Sequence, residues 1–144
     1  MNITDILATK GNRVITARPS EKIDTLAHRL RDERIGAVIV SGEDDAIIGI
    51  ISERDVVHGL AEYGVDLPAM SVSELMTRQV RSCRPDDSVK EVMQMMTQYR
   101  IRHLPVLDGG RLMGIVSIGD VVKNRLEDMG MEANVLRDIA IARR

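Results

Sequence analysis

The sequence predicts an α/β protein built from two copies of one unit, and three observations carry that prediction. The phrase GIISERDVV at 49–57 recurs as GIVSIGDVV at 114–122. A shift of 66 residues lays Val14 on Val80, Arg18 on Arg84, Pro19 on Pro85, Ile35 on Ile101 and Val40 on Val106. Dropping one residue in the turn around Glu43 sets the shift at 65, and Gly49, Ile50, Ser52, Asp55, Val56 and Val57 then meet Gly114, Ile115, Ser117, Asp120, Val121 and Val122. A gap of one residue in a turn costs little. The apolar pattern repeats along with these identities.

In each copy a first strand leads through a proline to an amphipathic helix. Ile23, Leu26, Ala27 and Leu30 fall at i, i+3, i+4 and i+7, as do Val89, Val92, Met93 and Met96. Ser20 and Asp86 are placed to cap these helices, with Glu21 and Asp87 set favourably against the dipole. Next comes a short apolar run, AVIV at 37–40 or HLPV at 103–106, then a polar turn, then a second apolar run that ends at Ser52 or Ser117. That pair reads as a hairpin. A further helix follows each serine, so the unit order is strand, helix, strand, strand, helix.

A fragment of about 60 residues buries too little surface to stand comfortably alone, so the two copies are expected to pack about a pseudo-twofold axis and share a core. The boundaries read as a first repeat over 1–64 with a lead-in, a linker at 65–72 marked by Gly64 and Pro68, a second repeat over 73–127, and a helical tail over 128–144. TDILATK at 4–10 and SVSELMT at 71–77 are similar enough to be matching helical lead-ins. In the tail, Val122, Leu126, Met129, Ala133, Leu136 and Ala140 form an apolar seam, interrupted at Gly130, that suits either packing on the module or pairing with a second copy.

Composition excludes several classes. The formal charge of −2 over 144 residues and the lack of a long basic block give no footprint for duplex nucleic acid. With no Phe or Trp and two Tyr, stacking platforms for single strands are missing as well. No run of about 18 apolar residues and no signal-like start occur, and one cysteine, Cys83, suits a reducing compartment, so the expectation is a cytoplasmic protein. There is no phosphate-binding G-x-x-x-x-G-K-[S/T] loop, no G-x-G-x-x-G turn and no H-E-x-x-H helix. His28, His58 and His103 lack metal-ligand spacing, and a Cys83–His103 pair would want a third, orienting group. The chain reads as a binding protein rather than an enzyme, without catalytic residues, metal or catalytic cofactor.

Ser52-x-x-Asp55 and Ser117-x-x-Asp120 stand where a strand turns into a helix. The spacing makes a capping box, and the same geometry can serve a ligand: a helix start attracts phosphate, and a carboxylate accepts from both hydroxyls of a ribose. The doubled pattern, clearest in IRHLPVLDGGRLMGIVSIGDVV at 101–122, resembles a tandem pair of cystathionine-beta-synthase (CBS) domains, a Bateman module, over about residues 5–127. The resemblance implies a regulatory module whose clefts between repeats bind adenosine ligands: AMP, ADP or ATP, in some members S-adenosylmethionine or a dinucleotide such as NAD(H). It assigns the ribose hydroxyls to Asp55 and Asp120, phosphate or ribose contacts to Ser52 and Ser117, and the adenine pocket to Ala17 and Arg18 in one unit and Cys83 and Arg84 in the other. Arg102 and His103, just before the L-P-V that contains Pro105, map to phosphate contacts.

The copies differ where it matters. Arg54 lies inside the first S-x-x-D and Gly119 inside the second, whereas Arg102, His103 and Pro105 occur only in the second unit. Unequal occupancy of two sites is therefore expected. The resemblance also implies a homodimer assembled through helices, signalling to an unidentified protein target. The competing expectation is an interaction protein in which both motifs only cap helices.

Overall fold

The computed structural model describes residues 1–11 and 13–130, and the tail beyond Gly130, with Ala133, Leu136 and Ala140 of the apolar seam, lies outside them. In chain order the elements are α1 (Ile3–Lys10), β1 (Thr16–Ala17), α2 (Ile23–Glu33), β2 (Ala37–Ser41), β3 (Ile47–Ser52), α3 (Glu53–Tyr63), α4 (Val72–Leu75), α5 (Val89–Tyr99), β4 (His103–Asp108), β5 (Arg111–Ser117) and α6 (Ile118–Asp128). Short 3-10 segments occupy Glu43–Asp45 and Gly64–Ala69. Mixed helix and strand in this order is the predicted α/β class. None of the described helices is long and apolar enough to cross a membrane.

The repeat is written into the strand register. Ala37 faces Ser52 and His103 faces Ser117, while Val40 faces Gly49 and Val106 faces Gly114. Both hairpins break register at the same place, after Val40 and after Val106. The first strand is where the copies part. β1 pairs parallel to β2 through Thr16–Ile39 and Ala17–Val40, but its counterpart is a lone bridge between Cys83 and Val106.

Both amphipathic helices begin later than the proline motif predicts. The chain first makes a turn, with Glu21 N–H donating to Arg18 O and Asp87 N–H to Arg84 O, and the N-caps are Lys22 and Ser88. The acidic side chains are engaged elsewhere: Asp87 accepts from Arg84 N–H, and Glu21 accepts from the Arg29 guanidinium. Ser88 instead forms the capping box, with Glu91.

The chain divides into two compact units, and these do not follow chain order. One is Val14–Arg81; the other joins Met1–Arg13 to the chain from Ser82 onward. The lead-in α1, expected with the first repeat, packs on the second, and the lead-in α4 packs on the first. Hydrogen bonds explain the exchange. Ile3 N–H donates to Asp87 O, Thr4 N–H to Pro85 O and Val89 N–H to Met1 O. In the other unit Val72 N–H donates to Glu21 O, Ser73 N–H to Pro19 O and Ile23 N–H to Met70 O. Each lead-in thus closes the start of a repeat helix, capped itself by Asn2–Asp5 or Ser71–Glu74. Aligning those caps, rather than TDILATK with SVSELMT, superposes the two lead-ins.

Each core is correspondingly mixed. Ile3 and Ile6 of α1 pack with Val89, Val92, Met96, Leu104, Val106, Val116 and Val121. Leu67, Val72 and Met76 pack with Ile23, Leu26, Leu30, Val38, Val40 and Ile51. The stretch expected to be a linker is therefore part of a core, because Leu67 in its 3-10 turn and Val72 are buried. β2 is buried along its whole length as the middle strand of three, which accounts for its unbroken apolar run.

Gly49 and Gly114 mark where a lead-in crosses its hairpin. A Cβ on Gly49 would lie 2.6 Å from Met76 Sδ and 3.0 Å from Thr77 backbone oxygen; one on Gly114 would meet the Leu7 side chain at 2.8 Å. Gly49→Ala is expected to cost about 1–3 kcal/mol in a denaturant titration and Gly114→Ala less, because a leucine tip gives way and a hydrogen-bonded backbone does not. Equal costs would contradict that ranking.

Candidate functional site

Each β-hairpin delivers its last residue, a serine, to the N-cap of the following helix. Ser52 caps α3: Asp55 N–H donates to Ser52 Oγ at 3.4 Å, and Ser52 N–H donates to Asp55 Oδ2 at 2.9 Å. Ser117 caps α6 in the same way, with Asp120 N–H to Ser117 Oγ at 3.2 Å and Ser117 N–H to Asp120 Oδ2 at 2.9 Å. The first helical N–H groups, of Glu53 and Ile118, donate to Gly36 O and Arg102 O just ahead of β2 and β4. Each motif is thus held from both sides of its hairpin. In both carboxylates Oδ1 accepts no hydrogen bond from the described residues.

The serine hydroxyls are occupied as cap acceptors, and the Ser52 hydroxyl also lies 3.2 Å from Asp55 Oδ2 as a donor. Arg54 is exposed on the first turn of α3 and Gly119 on that of α6. Arg102 is exposed, and His103, half-buried, faces Ser117 across the strands. These two residues, Ser117 and Asp120 therefore gather at one end of the β4–β5 hairpin.

The residues around the prolines sit elsewhere. Ala17 is buried beside Val40, at the end of β2 away from the residue that pairs with Ser52. The Arg18 guanidinium donates to Gly42 O in the hairpin turn. Cys83 is buried, donating its N–H to Pro105 O and accepting from Leu107 N–H. Arg84 is exposed and bonds Asp87 through its backbone. Pro105, buried in β4, lacks an N–H and contributes only its carbonyl, to Cys83. Ala17 and Cys83 lie beside Val40 and Val106, three residues along the strand from Ala37 and His103, which face Ser52 and Ser117, so within a unit the proline-side residues stand about 10 Å of strand, at about 3.3 Å per residue, from the S-x-x-D turn rather than in it.

The residue that does join it carries no motif of its own. Lys10, the last residue of α1, places its ammonium 2.6 Å from Asp120 Oδ2 and 2.8 Å from Ile115 O. In the other unit α4 ends sooner and the chain runs on as backbone: Thr77 N–H donates to Ile50 O and Ile50 N–H to Thr77 O. The carbonyl filled there by an amide is filled here by an ammonium. Burial alone would raise the Asp120 pKa, but the hydrogen bonds from Lys10 and Ser117 and the Lys10 charge outweigh it and hold the carboxyl below its ordinary value. No charge in the sequence near Asp120 announces Lys10. The signal that finds it is the alignment of the two lead-ins by their caps, which sets Lys10 of one against the extended chain after α4 of the other.

Among the described residues no cluster of His, Cys, Asp and Glu is arranged to hold a metal. A cavity of about 170 Å³ lies between α1 and α6, lined by Ile6, Thr9, Lys10, Asp120, Lys123, Asn124 and Glu127.

The CBS domain family model matches the chain twice, at residues 3–62 and 72–127. Among curated relatives, an uncharacterized protein of Methanopyrus kandleri is 34% identical over 111 residues, 76% of this chain and 57% of its own length. The mitochondrial CBS domain-containing protein CBSX3 of Arabidopsis thaliana is 31% identical over 84% of this chain and 63% of its own length. The chain thus spans about three-fifths of these two relatives. The crystal structure of the CBS-domain-containing protein ATU1752 of Agrobacterium tumefaciens superposes with a TM-score of 0.85 at 42% identity, covering 87% of this chain and 99% of that one. The CBS domain pair of protein MJ0100, crystallised with methylthioadenosine and S-adenosyl-L-methionine, gives 0.79 at 28% identity over 89% and 98%. Two matched domains, a repeated register and duplicate capped turns establish that this chain belongs to the CBS-domain family, whose paired domains form regulatory ligand-binding modules.

Proposed function

We propose that the chain is a sensor of an adenosine-bearing ligand of the AMP, ADP or ATP type, with Asp55 and Asp120 accepting the ribose hydroxyls, and that binding changes its conformation or its hold on a protein target. The observation that carries the reading is the pair of capped turns, each presenting a carboxylate whose Oδ1 is left for a ligand. The carboxylate faces a helix start, where negative phosphate is also favoured. The adenosine compounds bound by the similar MJ0100 pair support the ligand class. Ser52, Arg54, Ser117, Arg102 and His103 are proposed for the phosphate and ribose side. Ala17, Arg18, Cys83, Arg84 and Pro105 are proposed for the adenine side. The module is non-catalytic and cytoplasmic in this reading, and S-adenosylmethionine and NAD(H) are its alternative ligands.

Calorimetry of ligand-stripped protein against AMP, ATP, NADH and S-adenosylmethionine tests this. Saturable binding of at least one is expected, with Asp55→Ala and Asp120→Ala each weakening one site about tenfold or more, as befits loss of charged hydrogen bonds. A flat titration with all four would end the sensor reading, and binding that survives both substitutions would remove the site assignment. A second reading, homodimerisation without a ligand, is favoured by the exposed apolar side chains Val57 and Leu60 of α3 and Val122 and Leu126 of α6. It predicts a stable dimer in sedimentation together with flat titrations.

A further inference from the structure

The two S-x-x-D carboxylates differ in one respect that Arg54 and Gly119 do not explain. Asp120 Oδ2 accepts from both the Lys10 ammonium and Ser117 N–H, so both its lone pairs are in use. Asp55 Oδ2 accepts from Ser52 N–H and, more loosely, from the Ser52 hydroxyl, which rotates away without separating charge. A vicinal diol that grips both carboxylate oxygens can therefore take Asp55 by turning a hydroxyl, but must evict an ammonium from Asp120.

We propose that Lys10 is the specificity-determining residue of the second repeat: its ammonium competes with a ligand's vicinal hydroxyls for Asp120, and a ligand bound there displaces it along α6 toward Asn124. This rests on the reading of Asp120 as a diol acceptor. The displaced ammonium has somewhere to go. Asn124 is one helical turn, about 6 Å, beyond Asp120 on the same face of α6. It is 9% exposed, its Oδ1 is buried without a partner, and its amide points at Met1 Sδ. Asn124 and the Glu127 carboxylate line the same cavity as Lys10 and Asp120, with Lys123 the other cation there. At about 170 Å³ that cavity is below the roughly 300 Å³ of a small-molecule pocket, but it suits a lysine head group. A buried acceptor left unpaired in one state and paired in the other offsets part of the eviction cost.

The test uses the full chain carrying Asp55→Ala, so that only the second repeat is read, with adenosine and 2′-deoxyadenosine as probes. Adding Lys10→Met is expected to tighten adenosine about tenfold, the worth of one charge-assisted hydrogen bond, and to leave 2′-deoxyadenosine unchanged. Lys10→Arg should keep the weaker binding. Asn124→Leu should weaken adenosine only where Lys10 is present. Unchanged adenosine affinity in Lys10→Met, or equal gains for both nucleosides, overturns the competition, and an equal Asn124→Leu loss with and without Lys10 overturns the displacement. Adenosine binding undetectable in every variant, including Lys10→Met, instead removes the diol-acceptor reading itself. As a readout independent of the methionine variant's folding, the 15N resonance of Lys10 Nζ should move when adenosine saturates the Asp55→Ala protein; an unmoved signal at saturation overturns the proposal.

Discussion

Replacing Ile3 by alanine is expected to lower the unfolding free energy by about 2–5 kcal/mol and to loosen the second repeat rather than the first. Ile3 is fully buried, and its core neighbours come from α5, α6 and the β4–β5 hairpin. Its N–H also donates to Asp87 O, so α1 is fixed by backbone as well as side chain. Native-state hydrogen exchange is the direct measurement. Amides of α5, β4 and β5 should lose protection in Ile3→Ala while those of α2, β2 and β3 keep theirs, and Val72→Ala should produce the mirror result at smaller size. Loss of protection centred on β2 and β3 in Ile3→Ala would contradict the exchanged lead-ins.

The Cys83 thiol should be inert in the folded chain. Burial, reinforced by the Asp87 carboxylate, pushes its pKa from 9.0 up to about 12. At pH 8 the thiolate fraction then falls about a thousandfold below that of an ordinary cysteine, before burial slows the reagent further. A thiol-reactive dye should label native protein only at the rate of unfolding and label denatured protein at once. Linkage fixes the sign of the pH effect. The folded-state pKa is the higher one, so the contribution is complete below the unfolded value near 9 and is lost as pH rises toward 12, at about 1.4 kcal/mol per pH unit. Cys83→Ala should lack that alkaline component. Fast native labelling at pH 8 would show the thiol to be exposed, and would also favour its participation in a ligand pocket.

Much of this protein is legible one residue at a time. Ile23, Leu26 and Leu30, and Val89, Val92 and Met96, announce their helices because a 3.6-residue period has one explanation. The hairpin register follows from apolar runs that end at a serine, and the one-residue gap falls in a turn. The helix starts are displaced because a proline followed by polar residues, Ser20 and Glu21 or Asp86 and Asp87, signals a turn as well as a helix, and here the turn comes first. Leu67 reads as linker because Gly64 and Pro68 flank it, yet a 3-10 turn presents it to a core. Arg54 against Gly119 is the visible asymmetry between the two motifs, but both residues are simply exposed.

By itself the sequence determined the duplicated unit, its α/β order and the two capped serine–aspartate turns, because each is encoded by local periodicity and by residues three positions apart. Only the tertiary structure decided which lead-in closes which repeat and that Lys10 sits on Asp120. Those pairings join residues 1–10 to residues beyond 82, and Lys10 to a carboxylate 110 positions away. Local preferences act over a few residues. A partner at that separation is chosen by the packing of buried surfaces and the pairing of polar groups that burial would otherwise leave unsatisfied.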